Sequence, residues 1–538
     1  MEIAEQVNQA LKFVKERNYI SAEKIYLELL EKQSENHIIL SFLGYLYLET
    51  KKYKKAEQQF EKAYSINQTE TILSGLALTK YTLRKYEQAV PLYIELIKQK
   101  PTLDNYIRLT DMLASFTVVS SIDYAPKLYE YCKQGIEKFP LSKNILLNFS
   151  IANLYLGHFV ESEKCLADCF KQDKKFPKAW SQAGLIQECL YCNEDEAQKC
   201  YKNAIKYSGG TLSEYYDLGV SYSKSCKYNL ATKYFKKALK LSPKNNTIIL
   251  GIAHNYFKQR KFKEGFKYYI KQNDSSDVRK LKNIWDGKNH KDKTIFVFPD
   301  LAYGDHIMFM RYVPFLKTKF KSVKVFVYPN LKRLFESNFD VEFVTKIPKY
   351  DYSVALSKLP YYLSMDFQNI PFSDKYIDVP QQSNIKSNKL KVGLCWEAGN
   401  SDLRTTIHRS ININEFAKLF EQDYEFYSFQ VGASNNEIKK YPIVDLGKDF
   451  KDFYDTASYL KSMDIIVTVD TSVANLSGAM GLNTLMLLPY YADWRWFDND
   501  NTTEWYKSVS IYKQQYKNSW KSEIDRIIAK LTELKNKW

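Results

Sequence analysis

The residues best placed to do chemistry lie in MDIIVTVDTSVANLSGAMGLNTLMLLP, Met463 to Pro489. Ile465, Ile466, Val467 and Val469 form an apolar, β-branched run that reads as a buried parallel strand, and Asp470-Thr471-Ser472 leads it into a helical pattern of small residues closed by Gly481. The first N–H groups of such a helix lack partners and sit at the positive end of its dipole. Thr471, Ser472 and the amides after them can therefore hold a phosphate. Taken alone, the stretch is better read as an ordinary β-α unit in which Asp470 and Thr471 cap the helix, because such units far outnumber nucleotide sites. The rest of the chain shifts that reading. A second strand-to-helix turn, Gly304-Asp305, follows the apolar run TIFVF. Cys189 and Cys192 form a C-x-x-C, but no second pair and no nearby histidine completes a tetrahedral zinc set, so they read as buried helix cysteines.

These turns sit in a chain of 538 residues, long enough for three or four domains, with 45% hydrophobic residues. No uninterrupted apolar run is long enough to span a bilayer, and the first nineteen residues carry early acidic groups and no apolar core segment. The expectation is a cytoplasmic protein that is neither a secreted precursor nor membrane-spanning. Its 8 cysteines fit reduced thiols in that setting. The net charge of +16 is spread along the chain rather than gathered in one basic helix. It reads as a solvated surface that also steers an anionic ligand, and no nucleic acid is expected as a partner.

The first half is a repeat array, assigned to residues 1–275. Ala22, Ala56, Ala89, Ser162, Ala197, Ala231 and Gly265 are spaced by 34, 33, 73, 35, 34 and 34 residues, so the long gap holds one more, degenerate unit. In the clearest unit Leu218-Gly219 and Tyr222 mark the first helix, and Tyr228, Ala231, Phe235 and Ala238 the second. About eight units resemble tetratricopeptide repeats, whose stacking gives an all-α superhelix with a concave face for a protein partner. Small residues belong where the paired helices touch, and the aromatic ones fill the gap to the next repeat.

Residues 276–292 are polar apart from Trp285 and read as a linker. Beyond it the periodicity changes. Strands are expected at 293–299, 323–328, 341–345 and 352–356, then at 391–396, 425–430 and 464–469. Alternating strands and helices in two sets imply an α/β region of two Rossmann-like lobes, 293–385 and 390–538, with ligands at the carboxyl ends of the strands.

Several motifs then occur in one order: IWDG (284–287), YGDHIMFMRYVP (303–314), VGLCWEAGN (392–400), HRSI (408–411), DFYDTASYL (452–460), VDTSVANLSGAMG (469–481), DWRW (493–496) and EWY (504–506). Together they resemble the bacterial tetratricopeptide-repeat glycosyltransferases with a heptosyltransferase-like, two-lobed GT-B catalytic domain. In overall plan the chain is also similar to O-GlcNAc transferase and the flagellin-modifying transferases. The resemblance implies a metal-independent enzyme with no bound cofactor, a nucleotide-sugar as co-substrate, and a protein acceptor, flagellin or another surface protein among them, presented by the repeats. It assigns the acceptor side to the first lobe and the nucleotide-sugar side to the second.

Position by position, the resemblance implies that Asp305 is the general base toward the acceptor hydroxyl; its other reading is the N-cap of a helix beginning near His306. His408, by its loop position beside Arg409, is given a polar, catalytic part; its other reading is a surface histidine. Arg404 and Arg409 fall near the donor diphosphate and Asp470, Thr471 and Ser472 at its binding turn, while Trp494, Arg495 and Trp496 are expected to stack on or border the nucleotide; the other reading of the two tryptophans is core packing, the commoner role of the residue. Asn475 stands where the family usually has a histidine, and Ala302 where it usually has a glycine. The repeats also lack the groove-facing asparagine ladder of O-GlcNAc transferase. The reading that follows is a glycosyltransferase acting on a protein hydroxyl. The reading from a different class is a non-catalytic repeat scaffold whose transferase-like region has degenerated.

Overall fold

A computed structural model describes residues 3–119, 122–271, 281–365, 367, 369–382, 385–399, 409–432, 438–497, 501–517 and 519–536. The chain divides into two compact units, 1–183 and 184–538, with the division inside the helix Pro177–Cys189.

The first unit is built from helix pairs, from Ile3–Lys15 with Tyr19–Lys32 through Lys143–Tyr155 with Phe159–Gln172. The small residues of the 34-residue period fall at the fourth position of each second helix, and Ala22, Ala56, Ala89 and Ser162 are fully buried there. In the degenerate unit the same position is Leu128, equally buried, in the helix Ala125–Lys138. Its extra residues lengthen the preceding helix, Leu103–Val119, and the connection that follows. The ring of Phe60 shows how the repeats interlock. A Cβ on Gly44 of its own repeat would come within 2.8 Å of that ring, and one on Gly75 of the next would overlap it outright. Glycine is needed at both places because an aromatic ring occupies the volume where a side chain would begin.

The second unit opens with the end of Pro177–Cys189, from Gly184, and the helix Glu194–Ser208, followed by the pairs Leu212–Lys224 with Tyr228–Leu241 and Asn246–Lys258 with Phe262–Tyr269. It continues into two sheets in which every pairing of named strands is parallel. The first contains β1 (His290–Phe298), β2 (Phe320–Phe326), β3 (Glu342–Val344) and β4 (Tyr352–Ala355), in the order β3-β2-β1-β4. The second contains β5 (Lys391–Cys395), β6 (Glu425–Ser428), β7 (Ile443–Asp445), β8 (Ile465–Val469), β9 (Thr484–Leu488) and β10 (Val509–Lys513), in the order β10-β9-β8-β5-β6-β7. All five residues of β8 and of β9 are buried, as strands covered on both faces require.

Part of the segment read as a linker belongs to this body. Trp285 is 1% exposed, its backbone N–H donates to the Ser353 carbonyl at 2.9 Å, and its indole N–H donates to the Lys288 carbonyl at 2.8 Å. The last helix pair is also part of the α/β core. Phe257 lies 4.9 Å from Trp494 and 5.5 Å from Phe367, Phe262 lies 5.5 Å from Phe497, and Phe266 lies 5.3 Å from Phe367.

Candidate functional site

In a parallel sheet a crevice opens where the strand order reverses, because the chains leaving the two central strands turn to opposite faces. In the six-stranded sheet that point is between β5 and β8. Past β8 the chain enters Asp470 and Thr471 and then the helix Ser472–Ala479; Thr471, not Asp470, is the N-cap, its hydroxyl accepting from the Val473 N–H at 3.2 Å. Past β5, the Trp396 and Glu397 N–H groups donate to Oε1 of Gln430 at 3.2 and 2.9 Å, which fixes the exits of β5 and β6 together. In the four-stranded sheet the reversal falls between β1 and β4. There the Ser357 N–H and hydroxyl, after β4, donate to Asp300, after β1, at 3.2 and 2.5 Å. Ala302 then caps the helix Tyr303–Met310 and puts Asp305 in its first turn. The helix begins three residues earlier than His306, so Asp305 is not its N-cap.

Both crevices contribute to one cleft of about 620 Å³. Asp305, Arg409, Asp470, Thr471, Ser472, Asn475 and Arg495 line it, together with Gln430 and Asp493. The two sides come close at Gly304, where a Cβ would lie 2.9 Å from Nδ2 of Asn475 and 3.4 Å from the Ser472 Cα. Asn475 is held at both ends of its amide: Nδ2 donates to the Thr471 carbonyl at 3.1 Å, and Oδ1 accepts from the Tyr506 hydroxyl at 3.0 Å. Asparagine thus serves here as a brace in the cleft floor. Ala302, the other departure from the family pattern, has φ −76° and ψ 176°, an extended conformation that needs no glycine.

Charge is distributed in two arginine–carboxylate groups. Arg495 Nε lies 2.6 Å from Asp305 Oδ1, and its Nη1 lies 2.7 Å from Asp493 Oδ1. Asp493 also accepts from the Arg495 backbone N–H at 3.0 Å, which closes the turn Trp494–Trp496. Arg409 donates through Nη2 to the Asp470 carbonyl at 2.5 Å, with its Nε 3.5 Å from the Asp470 carboxylate. Burial raises the affinity of Asp305 and of Asp470 for a proton, opposed by Arg495 and Arg409 respectively. At Asp493 burial acts the same way, but Arg495 outweighs it and holds the carboxyl well below its usual range. Burial also disfavours the charge on Arg495, and the Asp305 and Asp493 carboxylates overcome it.

Trp494 corrects the expectation that it borders a nucleotide. It is 2% exposed, its ring stacks on His254 at 5.2 Å, and it is wedged against Phe257, because a ring this large gains more from the aromatic core than from a wet cleft. The ring lies 4.8 Å from the Arg495 guanidinium and forms the apolar support beneath it. Trp496 is likewise buried, at 1% exposure. Arg404 and His408 lie outside the described residues. Sequence reading missed Gln430 and Asp493; for Asp493 the signal was an acidic N-cap directly before WRW. It also missed Arg311, fully buried, which donates to the carbonyls of Met308 (2.9 Å) and Trp505 (2.7 Å) and to the Tyr376 hydroxyl (3.2 Å). Arg311 joins the YGDHIMFMRYVP and EWY motifs into one network. Among the described residues no group of three or more His, Cys, Asp or Glu is placed to hold a metal ion. Among the described residues no helix is long and apolar enough to cross a membrane.

The helix pairs form a repeat array, parts of which match tetratricopeptide-repeat models, and the array leads into an α/β region of parallel sheets. Family models described as tetratricopeptide repeat match residues 7–70 and 213–245. Among curated proteins the chain is similar to anaphase-promoting complex subunit 3 of Schizosaccharomyces pombe, 23% identical over 37% of this chain and 29% of that protein. It is also similar to the anaphase-promoting complex subunit CDC16 of Saccharomyces cerevisiae, 23% identical over 42% of this chain and 26% of that protein. The chain therefore spans less than a third of the length of these relatives. Among solved structures, a tetratricopeptide repeat protein from Parabacteroides merdae is 17% identical, covers 46% of this chain and 97% of its own, and has a TM-score of 0.39. YrrB, a tetratricopeptide repeat protein described as having an unusual peptide-binding site, is 15% identical with a TM-score of 0.29, over 35% of this chain and 95% of its own.

Proposed function

We propose that this protein is a glycosyltransferase of the two-lobed GT-B kind, which moves a sugar from a nucleotide-sugar to a hydroxyl of a protein held by the repeats. The observation that carries this reading is the meeting of Asp305 and the helix N-terminus at Thr471–Val473 in one cleft, each arriving from the strand-order reversal of a different parallel sheet. The donor diphosphate is held at the positive end of the helix Ser472–Ala479, with Arg409 beside it. Asp305 takes the proton of the acceptor hydroxyl as its oxygen bonds to the anomeric carbon. The bond from that carbon to the diphosphate breaks, and its electron pair stays on the leaving oxygen, where Arg409 and the helix amides stabilise the charge. Burial raises the proton affinity of Asp305 and makes it a stronger base than an exposed aspartate, and Arg495 beside it opposes that shift.

The second reading is a repeat scaffold that binds a partner without turnover, favoured by relatives matched at 37% and 42% of the chain and by family models that cover repeats alone. Thermal-shift measurements with UDP, GDP, ADP, CMP and their sugar conjugates separate the two, since a ligand that binds only the folded state raises its melting temperature. A selective shift, lost in Arg409→Ala and followed by donor turnover that Asp305→Asn abolishes, supports the transferase. No shift with any nucleotide rejects it in favour of the scaffold.

A further inference from the structure

The helix Tyr303–Met310, which carries Asp305, and the helix Ser472–Ala479, which turns its N-terminus to the cleft, follow strands of different sheets. Among the described residues no strand pairs one sheet with the other, so side chains must set the separation of these two helices. Arg311 directly follows the first helix and is fully buried. Its Nε donates to the Met308 carbonyl at 2.9 Å, its Nη1 to the carbonyls of Trp505 at 2.7 Å and Pro371 at 3.3 Å, and its Nη2 to the Tyr376 hydroxyl at 3.2 Å. The guanidinium also lies 4.6 Å from the Tyr376 ring centroid and 4.7 Å from that of Tyr506.

Both tyrosines continue to the second helix. The Tyr376 and Ile377 N–H groups donate to the Ala479 carbonyl, where that helix ends, at 2.9 and 3.1 Å, while the Tyr376 hydroxyl donates to the Ile307 carbonyl of the first helix at 3.0 Å. The Tyr506 ring lies against Gly478, where a Cβ would come within 2.5 Å of it, and its hydroxyl donates to Asn475 Oδ1 at 3.0 Å. Asn475 in turn donates to the Thr471 carbonyl at the head of the helix, at 3.1 Å. Arginine presents its donors in a rigid planar fork, so meeting acceptors on several chain segments at once leaves little freedom in how those segments are arranged. Lysine would keep the charge and lose that geometry. The distance from Asp305 to the head of the helix Ser472–Ala479 is thereby fixed by buried contacts. Transfer rates depend steeply on such distances, a misplacement of about 1 Å costing roughly 10²-fold.

We propose that Arg311 is a positioning residue for sugar transfer: through Tyr376 and Tyr506 it clamps the Asp305 helix to the helix Ser472–Ala479, so that the proton acceptor and the phosphate-binding turn move as one body. The effect on rate rests on the transferase reading; the clamp itself does not. Hydrogen exchange on the full-length protein tests the clamp. In Arg311→Lys the amides of both Tyr303–Met310 and Ser472–Ala479 are expected to exchange at least about tenfold faster than in the wild type, with those of Leu212–Lys224 unchanged. In Tyr506→Phe, which keeps the ring and loses the bond to Asn475, the gain is confined to Ser472–Ala479. Faster exchange in Tyr303–Met310 alone, or in neither helix, overturns the clamp. Where Arg311→Lys fails to fold, Tyr506→Phe decides, and unchanged exchange in Ser472–Ala479 overturns it. Steady-state transfer with the nucleotide-sugar selected by the thermal-shift measurements tests the effect on rate. In Arg311→Lys, kcat should fall by about tenfold to 10²-fold with the donor KM within about twofold of wild type. A raised KM at unchanged kcat overturns the positioning role. A wild-type protein that transfers no sugar removes the transferase reading, and the exchange result still decides the clamp.

Discussion

The carboxylate of Asp305 and the guanidinium of Arg495 pair at 2.6 Å although Asp305 follows β1 of one sheet and Arg495 follows β9 of the other. Both are mostly buried, with side chains 17% and 16% exposed, so breaking the pair from one side strands a charge. Arg495→Gln is expected to lower stability by about 3 kcal/mol. Asp305→Asn costs less, because Asp493 still neutralises Arg495. The double variant should be more stable than Arg495→Gln alone. Urea denaturation of the four proteins checks this, and strictly additive losses would show that the two side chains do not interact.

If Asp305 is the base, Asp305→Asn removes proton acceptance and leaves the donor contacts in place. Transfer should fall by about 10²-fold or more while nucleotide affinity changes by less than about twofold. Single-turnover transfer and titration with the donor nucleotide separate the two effects. Equal losses in both would make Asp305 a structural residue.

His306 is 1% exposed between Tyr328 and Phe335, and neither ring nitrogen has a partner among the described residues. Burial lowers its pKa to about 3, so it is neutral in the folded protein. The unfolded chain takes up a proton there below about pH 6.5, so stability is present above that value and lost as pH falls toward 3, by up to about 1.4 kcal/mol per unit. His254, lowered to about 3 mainly by burial, acts in the same sense. His306→Phe should reduce the drop in melting temperature between pH 7 and pH 5 without abolishing it. An unchanged drop counts against the neutral, buried assignment.

Gly304 tests the closeness of the two sides of the cleft. A methyl group there meets an Asn475 amide fixed at both ends, so Gly304→Ala is expected to cost about 1–3 kcal/mol and to weaken any ligand of the cleft. Asn475→Ala should recover part of the loss in the double variant. A Gly304→Ala protein of wild-type stability would mean that the cleft floor gives way easily. In the repeats, Gly75→Ala should be destabilising for the same reason, and Phe60→Leu in that background should restore stability.

The repeats were legible because their packing is local. A small residue at the fourth position of each second helix is a sequence signal with a fixed period, and where Leu128 replaces it the period stretches visibly. The strands β1, β5 and β8 were legible as apolar runs. β7, β9 and β10 were not read as strands: three residues in β7 carry too little pattern, and the apolar run of β9 merges with the helix before it. The sequence also places Asp305, Arg409, Asp470 and Arg495 in turns. It does not say that they pair as Arg495–Asp305 and Arg409–Asp470, because that depends on strand order. Trp494 was misjudged for a related reason, since its partner, Phe257, lies in a repeat far upstream.

The aromatic contacts of Phe257, Phe262 and Phe266 bear on how such a chain can be taken apart. Solenoids ordinarily end in a unit with a polar outer face, and here the outer face of the last unit is apolar and covered. The α/β body is thus the array's terminal cap. Cutting near residue 275 would release two fragments with greasy ends and not two free-standing modules. Lengthening or shortening the array by whole repeats is tolerable at interior junctions, but the final repeat is inherited together with the sheets it seals.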